Sequence, residues 1–338
     1  MPFVRLEYRR QPIQEGQTPQ AFFDHVQGEY ACLLESGKHG RYSYVAYDPF
    51  AVLWMDATQR EMVQVLQLKD FFGEPRSKAQ ILEKGEEWPV LEMLEKFELK
   101  AQSPVPFCGG AAGYMSYDYG CRFVGVNQKV FDDVGIPSYV FGMYDKVIAF
   151  DHEENQIYFL AIGETDVAAQ RKLDEMERDL EKPIPFARKG SMGMLSSNVS
   201  QETYVRKVKK VQEYLKSGDT YQVNFSQRFS GDCSLDPWTV YKRLAQQNPS
   251  PFACYFDYPD FQIVSCSPEL LLRKRGMKVE SWPIKGTVAR GRNPQEDEKN
   301  TQELIDSVKD YAELSMIVDL VRNDLGKVCE VGSVEVQA

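Results

Sequence analysis

The sequence predicts an α+β fold. Its first half carries short apolar runs bounded by glycine, proline and aspartate, several alternating with period two, and few helical stretches. Its second half sets helical periods between pairs of strand-like runs. At 338 residues the chain has room for about two domains and a sizeable core.

Composition narrows the function classes. Hydrophobic residues make up 43% and charged residues 27%, an ordinary soluble balance. The net charge of −10 argues against non-specific binding to nucleic acid or anionic membrane, so an anionic ligand must be held by a local cluster. No apolar run reaches transmembrane length, and the N-terminal stretch lacks a signal-peptide core. Seven scattered cysteines, without a Cys-x-x-Cys pair, fit reduced thiols in the cytoplasm. The histidines are His25, His39 and His152. None follows residue 152, which excludes His-based triads and His-x-x-x-His zinc sites from the second half. Chemistry there must use carboxylates, lysine or a hard metal ion.

In order, 30–35 reads as a buried strand, 37–40 as a turn, 41–47 as an alternating strand and 63–68 as another. A helix starts at Pro89 or Val90 and runs to Phe97. The glycine-rich run 107–118 lacks the Lys-Ser/Thr of a P-loop and the G-x-G-x-x-G spacing, so it reads as close strand packing, not nucleotide binding. Residues 139–150 and 156–162 look like a hairpin, and 165–180 a charged amphipathic helix. Residues 181–198 lack apolar periodicity and read as a linker. The expected domains are therefore 1–180 and 199–338.

Tyr204, Val208, Val211 and Leu215 lie on one helical face, and Gly218 supplies the stop. Residues 221–229 alternate as a strand, with Gln222, Asn224, Ser226 and Arg228 on one side, either half-exposed or lining a pocket. A helix follows over 238–247, then the turn 248–251, then a hairpin of 252–258 and 261–265.

The stretch 265–291 holds the sharpest chemistry. Two strand-like runs, 269–274 and 278–284, flank Arg275-Gly276-Met277. With a three-residue loop, Lys274 faces Lys278, and Glu269 and Lys285 share one sheet face. A two-residue loop would put them on opposite faces. A lone lysine is usually a solvated charge. Lys285, however, stands outside any charge run, bracketed by Pro283 and Gly286, and Gly286-Thr287 offers a free amide beside a hydroxyl, which suits an anion.

Residues 294–307 read as a polar helix, and Ser307 with Asp310 forms a capping box for another, running to about Arg322. On that helix Glu313, Ile317 and Leu320 share a face. A carboxylate in an apolar stripe needs a partner. Either it forms a buried ion pair, with Arg322 or Lys285, or it binds a hard cation such as Mg²⁺.

Four ordered segments together carry a family resemblance: Tyr221-Gln222-Val223-Asn224-Phe225-Ser226-Gln227-Arg228, Ser267-Pro268-Glu269-Leu270-Leu271, Pro283-Ile284-Lys285-Gly286-Thr287 and Ile317-Val318-Asp319-Leu320-Val321-Arg322-Asn323-Asp324. They resemble the chorismate-utilising enzymes, which include component I of anthranilate synthase, aminodeoxychorismate synthase, and the isochorismate and salicylate synthases. Leu33-Leu34-Glu35-Ser36, Gly40-Arg41-Tyr42-Ser43 and Gly109-Gly110 are similar to the N-terminal domain of the first two.

The resemblance implies an anthranilate-synthase-like β-sandwich flanked by helices, with a chorismate and Mg²⁺ site. It places Glu269 as general acid, Glu313 as magnesium ligand, and Gly286 and Thr287 on the substrate. Relatives that add water carry lysine at the position of Gln222. An amide cannot serve as that base, so ammonia is the expected nucleophile. Lys285, where anthranilate synthases usually carry alanine, is similar to the aminodeoxychorismate branch. There the amine attacks ring carbon 2 as hydroxyl leaves carbon 4, and ammonia then attacks carbon 4 and expels the lysine from carbon 2. Burial near a metal would lower the pKa of such a lysine.

Ammonia would come from a separate glutamine amidotransferase subunit, because no Cys-His glutaminase arrangement is present. Glu35, Ser36, Asn248, Pro249 and Ser250 resemble segments that hold tryptophan in some relatives. Family chains continue well past residue 336, with a Gly-Ala-Pro-Lys motif, a further magnesium carboxylate and active-site His and Arg residues. The expectation is a C-terminally truncated chorismate-binding domain, inactive alone and exposing apolar surface. An anthranilate synthase component I and a non-catalytic interaction protein are the competing readings.

Overall fold

The computed structural model describes residues 3–37, 40–55, 63–69, 75–82, 89–95, 98–99, 102–121, 123–126, 132–186 and 189–337. In chain order these form β1 (Phe3–Pro12), α1 (Pro19–Val26), β2 (Cys32–Glu35), β3 (Tyr42–Ala46), β4 (Ala51–Met55), β5 (Val63–Lys69), β6 (Pro75–Leu82), α2 (Pro89–Glu95), β7 (Glu98–Leu99), β8 (Gly110–Met115), α3 (Tyr117–Cys121), β9 (Tyr139–Tyr144), β10 (Lys146–Asp151), β11 (Gln156–Gly163) and α4 (Asp166–Asp179). There follow β12 (Ser196–Ser197), α5 (Gln201–Ser217), β13 (Phe229–Ser230), α6 (Pro237–Gln247), β14 (Phe252–Asp257), β15 (Gln262–Ser267), β16 (Leu270–Arg275), β17 (Lys278–Trp282), α7 (Pro294–Ile305) and α8 (Val308–Gly326).

The helices start where side chains can satisfy free amides. Thr165, Ser200, Asp236 and Ser307 each accept a backbone N–H from the first turn of α4, α5, α6 and α8. Gly218 ends α5 at φ +81, a left-handed value that glycine adopts without a Cβ penalty.

Two sheets face each other. One has eight strands in the order β15-β14-β2-β3-β10-β11-β1-β7, the other five, β6-β5-β4-β9-β8. Between them lies a core that includes Cys32, Val52, Val140, Tyr144, Val147, Leu160 and Phe256. The outer face of the larger sheet is covered by α1, α4 and α6 through Phe23, Leu173, Met176, Trp238 and Tyr241. The outer face of the smaller sheet carries Leu53, Met143 and Tyr119, with Leu94 of α2 against it. The expected sandwich flanked by helices is therefore present. All six residues of β10 are buried, as a strand covered on both faces requires. Its Lys146 reaches Asp48 at 2.9 Å. At position 113 of β8 a Cβ would stand 1.9 Å from the Val140 carbonyl oxygen, so glycine permits the close approach of β9.

Two expectations need correction. Residues 139–150 form two strands in different sheets, joined at Asp145, and only the second, β10, makes the expected hairpin with β11. The apolar pattern runs through both because each is buried, so a one-residue joint leaves no trace in it. Residues 221–228 lie outside every ladder, and only β13 pairs, with β12. Alternation allows a strand, but a strand also needs a neighbour with free backbone groups. The sequence reading also passed over β1, α1, β4 and β6. Lys38, His39 and residues 96–97 lie outside the described residues. The larger sheet takes strands from both sides of residues 181–198.

Arg41 meets Asp151 at the end of β10, Nη2 to Oδ2 2.8 Å, and Asp151 also accepts the amides of Glu153 and Glu154. Burial works to raise the Asp151 carboxyl, but the guanidinium and the two amides outweigh it and hold it below the ordinary 3.8. A depressed folded value gives stability that is full above the unfolded value and is lost as pH falls through the folded one. Asp151→Asn is expected to lower stability at neutral pH and to flatten its decline between about pH 5 and about pH 2, read as urea midpoints across pH.

Candidate active site

The hairpin β16–β17 closes with a two-residue loop. Arg275 pairs with Lys278, and Gly276 takes φ +56. The three-residue loop is therefore corrected. A slip of one residue should have turned Glu269 to the other face. A bulge reverses it: Leu271 and Leu272 stand opposite Ser281 alone, so Leu270 pairs with Trp282. Beyond the bulge the register is the one that a three-residue loop would have set. Glu269 Oε1 then accepts the backbone N–H of Ile284 at 3.1 Å, the residue before Lys285.

Lys285 Nζ lies 3.6 Å from Glu313 Oε1, with the two side chains 30% and 40% exposed. Of the two ion pairs the sequence allowed for Glu313, Lys285 is the partner, and Arg322 pairs with Asp319 instead. An ion pair this accessible contributes about 0–1 kcal/mol, so it orients more than it stabilises. Gly286 turns at φ +82 against Leu304 and Asp310. Thus Glu269, Lys285, Gly286 and Glu313 are brought together. Thr287 is exposed beside them, and Gln222 is half-buried with its carbonyl accepting from Thr220 Oγ1 at 3.0 Å. No hydrogen bond joins Gln222 to Lys285, Glu269 or Glu313 among the described residues.

The segment around Gln222 is tied to the first half. Arg228 makes a two-armed ion pair with Asp133, Nη1 to Oδ1 3.0 Å. No periodicity or spacing marks Asp133, so the sequence could not announce this tether.

The donor set suits magnesium in one form only. Among the described residues no group of three or more His, Cys, Asp or Glu side chains converges. Glu313 is a single carboxylate, which fits an ion that keeps several waters and binds through one protein oxygen and its substrate.

The residues resembling a tryptophan site divide. Glu35 lies on β2, where its Oε2 accepts from Tyr241 Oη at 2.5 Å and from Gln20 Nε2 at 3.1 Å. Ser36 and Ser250 are buried, and a Cβ on Gly37 would meet the Ser250 carbonyl oxygen at 2.8 Å. Asn248 and Pro249 are exposed. Ser36 continues through Ser43 Oγ (3.2 Å) to His152 Nε2, 2.8 Å from Ser43. Burial pushes His152 below its ordinary value, against the raising influence of Asp151 and Glu35. All seven cysteines are free, with Cys32 and Cys108 buried. No described helix is long and apolar enough to cross a membrane.

A family model for chorismate binding enzymes matches residues 29–338, and the chain belongs to that family. Among curated proteins it is 33% identical over 338 residues to aminodeoxychorismate synthase component 1 of Bacillus subtilis, covering 96% of this chain and 69% of that one. It is 36% identical over 234 residues to anthranilate synthase component 1 of Thermus thermophilus, covering 68% of this chain and 51% of that one. Among solved structures, anthranilate synthase component I from Streptococcus pneumoniae superposes with a TM-score of 0.72 at 25% identity, over 97% of this chain and 71% of that one. The chain thus spans between about half and 71% of the length of these relatives.

Tyr241 is fully buried and its hydroxyl has Glu35 as partner. Tyr241→Phe is expected to cost about 1–3 kcal/mol, because the Glu35 carboxylate loses a buried donor; a urea midpoint shift at constant slope measures it.

Proposed function

We propose that the protein aminates chorismate to 4-amino-4-deoxychorismate, with ammonia from a glutamine amidotransferase partner and with magnesium. The observation that carries this reading is the junction at Lys285: its amine stands 3.6 Å from Glu313, and the preceding amide is held by Glu269. An amine at a glycine turn, where a backbone amide and a hydroxyl follow, suits a small anionic ring. The similarity to a protein named aminodeoxychorismate synthase component 1 supports the same reaction.

In this mechanism Lys285, once unprotonated, attacks ring carbon 2 as the hydroxyl leaves carbon 4. Glu269 gives that leaving oxygen a proton, so water departs. Ammonia then adds at carbon 4, the bond to Lys285 breaks, and the amine takes back the electron pair. Gln222 has no basic site at neutral pH and leaves water unactivated. Glu313 would hold magnesium, which supplies positive charge against the substrate carboxylates.

The test is to supply chorismate, an ammonium salt and magnesium to the chain extended to the length of its relatives, and to follow products by mass spectrometry. Aminodeoxychorismate is expected. Anthranilate with pyruvate would assign the anthranilate synthase reaction instead, and unconsumed chorismate would reject both. Glu269→Gln should lower turnover by about 10²–10⁴-fold. Lys285→Ala should remove both turnover and any covalent adduct. Tryptophan is proposed as a ligand of the site at Glu35, Ser36 and Ser250: titration calorimetry should show one saturable event that Ser36→Ala weakens, and a flat titration would remove it.

A further inference from the structure

The resemblance and the comparisons assign no role to Asp310, yet the turn that presents Lys285 rests on it. Residue 286 is at φ +82, and a Cβ there would stand 2.8 Å from Leu304 Cδ1, 3.2 Å from Asp310 Cβ and 3.3 Å from Asp310 Cγ. The backbone at 286 is therefore seated on the Asp310 side chain, with Leu304 at the end of α7 as the second wall. Asp310 is itself fixed. Ser307 Oγ donates to its Oδ2 at 2.5 Å, and the Asp310 amide donates back to Ser307 Oγ at 3.3 Å. One helical turn further, on the same face of α8, is Glu313, the partner of the Lys285 amine.

Lys285 is thus held at three points: Glu269 on the amide before it, Asp310 behind the glycine after it, and Glu313 at its tip. Glu269 reaches from the hairpin. The other two are spaced by three residues on one helix, so the distance between backbone seat and ammonium partner is set by helix geometry, not by a loop.

We propose that Asp310 is a positioning residue: locked by Ser307, its side chain is the seat of Gly286 and sets where the Lys285 amine stands relative to Glu313. The inference deepens the reading above by assigning the support of its nucleophile, and it is tested without turnover. A water-soluble carbodiimide joins an amine to a carboxylate in contact, forming an amide with loss of water. The Lys285–Glu313 cross-link, quantified by peptide mass spectrometry in the full chain, therefore reports their separation directly.

The wild-type chain should form this cross-link. Asp310→Ala should lower its yield by about fivefold, the scale of a partly exposed ion pair. Asp310→Asn, which keeps the shape and the acceptor for Ser307, should retain the wild-type yield. Gly286→Ala should lower it as Asp310→Ala does, while leaving the cap of α8 intact. This last variant separates seating from capping. If the first substitution only frays the helix, Gly286→Ala will cross-link like wild type, and the proposal falls. It falls equally if Asp310→Ala retains the wild-type yield. Lys299–Glu303, an ion pair within α7 at 3.6 Å, serves as the internal control and should be unchanged throughout. Failure of the chorismate reaction would leave these yields as they are, so the two readings stand or fall separately.

Discussion

A short ladder carries the second half of the chain. β14 pairs antiparallel with β2, from Ala253 opposite Glu35 to Phe256 opposite Cys32. Through it β15 becomes the edge of the larger sheet, and β15 leads directly into the hairpin that bears Glu269. The ladder is dry on both sides. Leu33 and Tyr255 face the helical layer, while Cys32 and Phe256 face the smaller sheet. α6 closes over it: Trp238 and Phe23 rings lie 4.5 Å apart, and Trp238 Nε1 donates to Asp24 at 2.6 Å. Burying aromatic side chains of this size is worth about 1.5–3 kcal/mol each, so this joint is among the firmest in the fold.

Past that edge the burial stops. β16, β17, α5, α7 and α8 contain no fully buried side chain, and Leu271, Leu272 and Trp282 are 87%, 55% and 48% exposed. A site built there cannot borrow its rigidity from a core. It depends on local devices: a carboxylate on an amide, a glycine against a capped helix turn, an accessible ion pair. Each is worth about 1 kcal/mol, so their geometry responds to small changes.

How much of this the sequence disclosed follows from the range of each interaction. The caps at Ser307 and the stop at Gly218 were legible because a cap is satisfied within three residues. The hairpin β14–β15 was legible because its turn lies between its own strands. Glu313 in an apolar stripe announced a need for a partner, and the partner was one of the two named. The strand joint at Asp145, the unpaired run 221–228 and the tether from Arg228 to Asp133 were not legible. Each depends on a neighbour far away in the chain, and residue type says little about such neighbours. Strand register grouped Glu269 with Lys285, and the apolar stripe offered Lys285 to Glu313; the family motifs added the roles expected of the three.

The bulge shows why Glu269 still arrives where the wrong loop length had placed it. The observed two-residue loop fixes the register of Arg275, Lys274 and Arg273 against Lys278, Val279 and Glu280. Had that register continued, Glu269 would stand opposite Ile284 and point to the face away from Lys285. The run Leu270-Leu271-Leu272 has no alternation to break, so inserting one residue there turns no polar side chain into an apolar face. Neither Leu271 nor Leu272 is buried, and no packing resists the insertion. A strand with a strict alternating pattern would have opposed the same slip with every side chain it carries. The register shift is therefore absorbed where it costs least, between the three pairs that set the turn and the carboxylate that meets the Lys285 loop.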